Sequence, residues 1–161
     1  MVKPRRVVIT GIGVVAPNGI GKDAFWEALL EGRSGIGRLS LFDVDGLPVR
    51  IAGEVTNFVP EHFMSMDQSK VLARQTQFGL AAAKMALWDS GITDGDVAPL
   101  NGRVIVGTSF PNIDVLERAL RLSLDKPDLS PRSVTCLLKG NPFSNATEIS
   151  LAVGFRSSAR V

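Results

Sequence analysis

The sequence is poor in the residues that most often form cross-links or carry catalysis. Its 161 residues include one cysteine, one histidine and no tyrosine, and aromatic residues make up 6%. A single cysteine cannot form an internal disulfide, and the chain has no CxxC or HExxH motif. The sequence therefore indicates neither a disulfide framework nor a metal site, and we expect a reducing, cytoplasmic location.

The chain also lacks a strong charge imbalance and a long apolar run. Its 18 Lys and Arg against 16 Asp and Glu give a net charge of +2, and no basic run gathers into a surface for nucleic acid. The most apolar helical stretch, residues 78–88, is interrupted by Lys84 and is too short to span a bilayer. We therefore expect one globular domain that binds neither nucleic acid nor membrane.

The first twenty residues are open to two interpretations. Basic residues before the run VVITGIGVVA imitate a secretory signal. However, a β-branched run ended by two glycines is typical of a buried strand and a sharp turn. Pro17, Asn18 and Gly19 then favour a turn where a signal would have its cleavage site. We therefore predict a strand at Arg6–Thr10, buried on both faces.

Strand and helix signals alternate along the rest of the chain. Helices are predicted where apolar residues recur at three- and four-residue spacing and a glycine follows, and strands where β-branched residues cluster. The predicted elements are a helix from Asp23 to Gly32, a loop at Ser34–Pro48, an edge strand at Val49–Val55, a long helix between Ser69 and Ser90, a buried strand at Arg103–Gly107, and helices at Ile113–Leu124 and Ala146–Val153. This alternation implies an α/β fold with a mostly parallel sheet.

A glycine motif near the N-terminus is a candidate for dinucleotide binding. Gly11–Ala16, GIGVVA, matches the permissive form of the fingerprint, and Glu31 follows about 20 residues later as a candidate ribose ligand. Phosphate binding needs a helix N-terminus directly after the glycines. Because Pro17–Gly19 interrupts any such helix, a tight turn after a strand is the favoured interpretation.

The other candidates for chemistry have no partners nearby in the sequence. Cys136 lies in the apolar segment VTCLL, and nothing there indicates a cation or a helix N-terminus that would activate its thiol, so a small buried hydrophobe is favoured over a nucleophile. His62 follows Pro60 and Glu61 and is predicted to lie on the surface. Three cations on or near the long helix could face an acidic partner, although solvated surface charge is the simpler interpretation. They are Lys70, Arg74 and Lys84.

The order of the motifs resembles the N-terminal portion of the β-ketoacyl-acyl-carrier-protein synthases. The resemblance rests on RRVVITGIGVVAPNGIG, FWEALLEGRSGIGRLSLFDVDGLPVRIAGEV, TQFGLAAAKMALWDSGI and RVIVGTS, and it covers nearly the whole chain. It implies a thiolase-like α/β fold, in which residues 1–161 form part of the N-terminal half and end before the nucleophile. We therefore expect no catalytic residue within this chain.

The resemblance also implies an activity and partners. Such enzymes elongate acyl chains in fatty acid or polyketide synthesis by decarboxylative Claisen condensation with a malonyl carrier, and no cofactor is expected. A cysteine takes the acyl primer, and two histidines support decarboxylation. The implied partners are an acyl carrier protein and a second subunit, either a copy of the chain or a related subunit. The alternative is a non-catalytic subunit of the same fold, analogous to a chain-length factor.

Two groups of site residues follow from the resemblance. The segment GTSFPN, Gly107–Asn112, stands in the place of the family's glycine-rich loop, which assigns Thr108 and Phe110 to an acyl pocket and makes Phe110 its gate. Pro111 and Asn112 replace two glycines there. In the region that docks the carrier, Lys70 and Arg74 remain, whereas other basic positions are replaced.

Overall fold

The computed structural model describes residues 6–93, 96, 102–109, 112–125 and 144–155. Phe110 and Cys136 lie outside these ranges. In chain order, the elements are β1 (Val15–Ala16), β2 (Gly19–Ile20), α1 (Lys22–Leu30), β3 (Ile36–Arg38), β4 (Ile51–Gly53), a 3₁₀ turn (Pro60–His62), α2 (Met66–Val71), α3 (Arg74–Ser90), α4 (Ile113–Asp125) and α5 (Ser144–Ala152). Three of the predicted helices, α1, α4 and α5, are therefore confirmed with changes at their bounds.

The strands within the described ranges pair antiparallel. β1 pairs with β2, and β3 pairs with β4 in a register that sets Gly37 opposite Ala52. The edge strand expected within Val49–Val55 is thus confirmed as β4. Its partner β3 lies in a stretch predicted to be a loop, because three residues with a central glycine give no strand pattern.

The two segments predicted as buried parallel strands are the main correction. Arg6–Thr10 and Arg103–Gly107 form no ladder with any described residue, and the exposed fractions are 84% for Ile9 and 80% for Ile105. A central parallel strand needs hydrogen-bonded neighbours on both edges and helices on both faces, and no described segment supplies them to Arg6–Thr10. Val104 and Val106 do contact the core from one side.

The long helix predicted between Ser69 and Ser90 is two helices. Leu72 and Ala73 have extended backbone, with ψ of 140° and 146°, so α2 ends and α3 starts anew. Both side chains are buried, which is why the apolar periodicity continues across the break. The Gln77 side chain fixes this joint by donating hydrogen bonds to the Ser69 and Leu72 carbonyls, at 2.8 and 3.0 Å.

Helix α3 lies at the centre of the described core. Leu80 and Ala81 pack with Ile149 and Val153 from α5 and its C-terminal end. At the other end of α3, Ala73 packs against buried residues of α4, Val115 and Ala119. α3 therefore joins the two later helices to the N-terminal part of the chain.

The glycine segment near the N-terminus, Gly11–Gly13, also packs on α3. A Cβ atom built on Gly13 would lie 1.9 Å from the Ala82 carbonyl oxygen, and one on Gly11 would lie 2.1 Å from the Ala86 carbonyl oxygen. Backbone therefore touches backbone, and neither position has room for a side chain. The Asp89 carboxylate holds the Gly11–Gly13 segment against α3 by accepting a hydrogen bond from the Ile12 amide at 3.0 Å.

We predict that Gly13→Ala destabilises the protein, whereas Gly37→Ala does not. The new methyl group at position 13 would collide with helix backbone, and overpacking of this kind costs about 1–3 kcal/mol. A Cβ atom on Gly37 would have no atom beyond its chain neighbours within 4 Å, so alanine there should leave stability equal or slightly raised. Thermal and urea unfolding of both variants measure this. Equal unfolding midpoints for Gly13→Ala and Gly37→Ala would contradict the close packing of Gly13 against α3.

We also predict a pH dependence from Asp89. Its pKa is held below the usual value of 3.8, first by the hydrogen bond from Lys22 and then by the Ile12 amide. Because the folded state favours the charged form, this stabilisation is present above the unfolded pKa and is lost as pH falls through the folded pKa. The difference in melting temperature between wild type and Asp89→Asn should shrink below about pH 4. A difference that does not change with pH would refute this.

Candidate functional site

The segment assigned to the acyl pocket leaves the core and then returns to it. Val104 and Val106 pack against the core, whereas Thr108 is exposed. The predicted gate, Phe110, lies outside the described residues. The chain is described again from Asn112, which is fully buried at the start of α4 and whose carbonyl accepts a hydrogen bond from the Leu116 amide at 3.0 Å.

Asn112 belongs to a group of polar side chains, called the polar cluster, in which Thr76, Asn112 and Asn145 are buried and Gln75 and Ser144 are half-buried. Gln75 Nε2 donates to Asn112 Oδ1 at 3.2 Å, and Asn112 Nδ2 donates to Ser144 Oγ at 3.0 Å. Thr76 Oγ1 lies 2.7 Å from Asn145 Oδ1 and 3.2 Å from Asn112 Oδ1. The cluster therefore joins α3, the residue before α4 and the start of α5.

The energetics of the polar cluster depend on its burial. The exposed fractions of Thr76, Asn112 and Asn145 are 3%, 0% and 3%, so a lost hydrogen bond there would not be replaced by bulk water. A hydroxyl has one hydrogen, so Thr76 donates to one amide oxygen at a time. In the described part of the chain, no fully buried side-chain nitrogen or oxygen is left without a partner. Satisfied buried networks of this kind favour one arrangement of the elements that they join.

The backbone explains why asparagine stands at position 112. Its φ is 57°, the left-handed region that glycine adopts freely and that asparagine tolerates best among other residues. Asparagine at this position thus adopts a backbone conformation that suits glycine, and adds a buried amide. Sequence reasoning identified the replacement, but could not show that the amide reaches α3 and α5.

The two residues predicted to dock a carrier differ in their surroundings. Lys70 is exposed at the end of α2. Arg74 is half-buried, donates from Nη2 to the Val55 carbonyl at 2.6 Å, and has its guanidinium 4.9 Å from the centre of the Phe78 ring. Its charge therefore stabilises the core, through a hydrogen bond and a cation–π contact. Its role in docking stays a prediction.

The three cations do not form one basic face. Lys84 donates to the Phe63 carbonyl at 2.6 Å, so it, too, is bound within the fold. The exposed neighbour of Lys70 is instead Arg118 on α4, whose Nη1 donates to the Lys70 carbonyl at 3.3 Å. Sequence reasoning missed this pair, because 48 residues separate its members. We call Lys70 and Arg118 the basic pair.

The glycine fingerprint is not arranged to bind a dinucleotide. The chain after Gly13 enters the hairpin of β1 and β2 rather than a helix. Gly11 and Gly13 themselves pack against the backbone of α3. Glu31, the candidate ribose ligand, accepts a hydrogen bond from its neighbour Arg33 at 3.1 Å. The predicted turn is found at Pro17 and Asn18, between β1 and β2, whereas the glycine segment itself has no assigned turn and follows no strand within the described residues.

His62 is exposed on the 3₁₀ turn, as predicted. Within the described ranges, there is no group of three or more metal-ligating side chains, and no helix has the length and apolar character needed to cross a membrane. The role of Cys136 stays a prediction.

An apolar cavity of about 280 Å³ lies at the other end of α3 from the polar cluster. Its lining includes Ala83, Ala86, Leu87, Val104, Ile149 and Phe155. Among the described residues, neither Thr108 nor a member of the polar cluster lines it.

Comparisons with known proteins support the resemblance. The family described as "Beta-ketoacyl synthase, N-terminal domain" matches residues 4–160. The 3-oxoacyl-[acyl-carrier-protein] synthase 2 of Synechocystis is 30% identical over 148 residues, which are 91% of this chain and 36% of that protein.

Solved structures agree on the fold. "The ishigamide ketosynthase/chain length factor" has a TM-score of 0.79 and 28% identity, covering 98% of this chain and 39% of that one. A type II polyketide acyl-carrier protein in complex with its ketosynthase has a TM-score of 0.69 and 26% identity, covering 98% and 38%. The chain thus spans somewhat over a third of the length of these proteins. The fold is the α/β fold of thiolase-like ketosynthases, and the chain belongs to the β-ketoacyl synthase family, of which it is an N-terminal portion.

Proposed function

We propose that the protein containing this chain is a β-ketoacyl-acyl-carrier-protein synthase that elongates acyl chains in fatty acid or polyketide synthesis. The observation that carries the proposal is the family match over residues 4–160. The likeness to ketosynthase structures over 98% of the chain supports it. These matches extend through every described helix, rather than resting on one motif.

The proposed reaction has two steps. An enzyme thiol first takes the acyl group from its carrier as a thioester. A malonyl carrier then loses its carboxylate as carbon dioxide, and the enolate that remains attacks the acyl carbonyl. A carbon–carbon bond forms, the enzyme thiolate leaves, and the 3-oxoacyl product stays on the carrier. We assign Thr108 and Phe110 to the acyl pocket, and we assign the nucleophile to a residue outside this chain.

A release assay for carbon dioxide tests the proposal. The complete product of the reading frame that encodes this chain should release carbon dioxide from malonyl carrier in the presence of an acyl carrier, whereas residues 1–161 alone should not exceed a buffer control. Cys136→Ala in the complete product should leave turnover unchanged, because we interpret Cys136 as a buried hydrophobe. A large loss of turnover in that variant would show that Cys136 is the nucleophile.

A second candidate function is a non-catalytic subunit that pairs with a catalytic relative. The match to a structure that is named for both a ketosynthase and a chain length factor supports this candidate. In that case the complete product would be inactive alone, and mixing with a catalytic ketosynthase subunit would give a heterodimer with activity. A homodimer with activity of its own, seen by sedimentation and by the release assay, would leave the first proposal in place.

We further propose that the carrier docks at the basic pair. Lys70 is exposed and lies beside Arg118, whereas the guanidinium of Arg74 is bound to Val55 and the aromatic rings. Exposed cations attract an acidic carrier and raise its association rate. The carrier-bound ketosynthase among the structural relatives supports the choice of partner.

Charge reversal at Lys70 tests the docking site. Lys70→Glu should raise the KM for acyl carrier severalfold, most strongly at low salt, because screening weakens charge contacts at the surface. Turnover of a small acyl thioester without a carrier should not change. Arg38→Glu makes the same charge change at an exposed residue on β3, and should leave both substrates unaffected. Equal effects of the two variants would refute docking at Lys70.

A further inference from the structure

Helix α3 takes its N-terminal cap from another helix. The residue before it, Ala73, makes no side-chain hydrogen bond to the first turn, and alanine is a poor residue at this position because it has no acceptor. Asp114 on α4 replaces that cap, since its carboxylate accepts a hydrogen bond from the Arg74 amide at 3.2 Å. A carboxylate also suits the partial positive charge at a helix N-terminus. The start of α3 is therefore bound to α4.

The next turn of α4 binds the end of α2 in a similar way. The last carbonyls of a helix have no partner within that helix, and Arg118 Nη1 donates to one of them, the Lys70 carbonyl, at 3.3 Å. Asp114 and Arg118 are four residues apart, so they lie on one side of α4 and about 6 Å apart along its axis. One side of α4 thus binds the end of α2 and the start of α3.

Apolar packing brings α4 to the joint between α2 and α3. Ala73 lies in this joint and packs against Val115 and Ala119, both of which are fully buried. Burial of apolar surface is not directional, whereas a hydrogen bond weakens steeply when its donor and acceptor are misaligned. The hydrogen bonds of Asp114 and Arg118 therefore fix a rotation of α4 that the apolar contact alone would not fix.

We propose that Asp114 is a positioning residue for carrier docking, because its hydrogen bond to the start of α3 holds α4 in the orientation that places Arg118 beside Lys70. A guanidinium has five N–H donors, and the Lys70 carbonyl takes one of those of Arg118. Arg118 is therefore able to keep this contact while it binds a carboxylate of the carrier. This inference rests on the proposed docking of the carrier at the basic pair.

The direction of the effect separates positioning from charge. Asp114 is exposed and negative, so its charge alone repels an acidic carrier, and removal of that charge would strengthen carrier binding. Loss of the positioning hydrogen bond would weaken carrier binding instead. Asp114→Ala removes both the charge and the acceptor, whereas Asp114→Asn removes the charge and keeps an amide oxygen that accepts from the Arg74 amide.

The readout is the dissociation constant of a fluorescently labelled type II acyl carrier protein, titrated at low salt with the complete reading-frame product. Asp114→Ala should raise this constant about threefold, because a contact between exposed charges is worth at most about a factor of five in affinity. Asp114→Asn should not raise it. Glu117→Ala is the matched control, since Glu117 is also an exposed carboxylate on α4 but pairs with Arg121 of the same helix at 2.8 Å, and it should not raise the constant either.

Melting temperatures distinguish positioning from a role in stability alone. Asp114→Ala should melt below wild type, because a helix cap is lost. A lower melting temperature with an unchanged or smaller dissociation constant would mean that Asp114 only stabilises the fold, and would overturn the proposal.

A double variant connects the effect to Arg118. Arg118→Ala should raise the dissociation constant by itself, and the addition of Asp114→Ala should raise it no further, because there is then no guanidinium to position. Effects that multiply in the double variant would overturn the positioning role. If Arg118→Ala binds the carrier as tightly as wild type, docking at the basic pair is wrong and the role of Asp114 falls with it. A complete product that shows the expected binding effects but releases no carbon dioxide would support the positioning role and refute the proposed synthase activity.

Discussion

Helix α3 contacts its neighbours through three different kinds of surface. Near its C-terminal end, small residues let the backbone of Gly11 and Gly13 lie directly on it. In the middle, Leu80 and Ala81 form part of the apolar core with α5. At its N-terminal end, Thr76 and Gln75 bind α4 and α5 through polar groups. The glycine segment, α4 and α5 are therefore positioned by the size or the polarity of the α3 residues that they contact.

These three surfaces of α3 differ in how well they accept amino-acid substitutions. The apolar middle can accept other side chains of similar volume at modest cost. The glycine contact cannot, because the nearest atoms are helix backbone. A substitution in the polar cluster must keep the orientation of its polar groups, since buried donors and acceptors must meet with the correct geometry. The two ends of α3 thus specify the arrangement, whereas its middle supplies much of the hydrophobic stabilisation.

Most helices could be predicted from the sequence because their information is local. The glycine stop of α3 is an example, since Gly91 has the left-handed conformation, with φ of 71°, that ends a helix. The break before Arg74 could not be predicted, because the buried side chains of Leu72 and Ala73 continue the helical periodicity across it. The β-branched pattern of Arg6–Thr10 predicted a strand, but a ladder requires partners, and no pattern within one segment can show whether they are present.

The candidate site shows the same division between local and distant information. Motif order was sufficient to identify the family, while the assignment of Thr108 to an acyl pocket stays a prediction. It could not distinguish Lys70, which is exposed, from Arg74, which is bound to the core. That difference depends on Val55 and Phe78, and only the fold brings Val55 next to Arg74. A charged residue in a sequence is a candidate for binding. Its hydrogen bonds and ring contacts within the fold decide whether its charge is available to a binding partner.

The basic pair and the polar cluster are joined through helix α4. Arg118 and Asn112 lie on α4 and at its start, about 9 Å apart along the helix at 1.5 Å per residue. Arg118 binds the carbonyl of Lys70, while the Asp114 carboxylate accepts a hydrogen bond from the Arg74 amide at 3.2 Å. The first two turns of α4 are thus fixed to both α2 and α3. The helix that carries Arg118 is thus the helix whose preceding residue, Asn112, enters the polar cluster, so a displacement of α4 would disturb both groups of contacts.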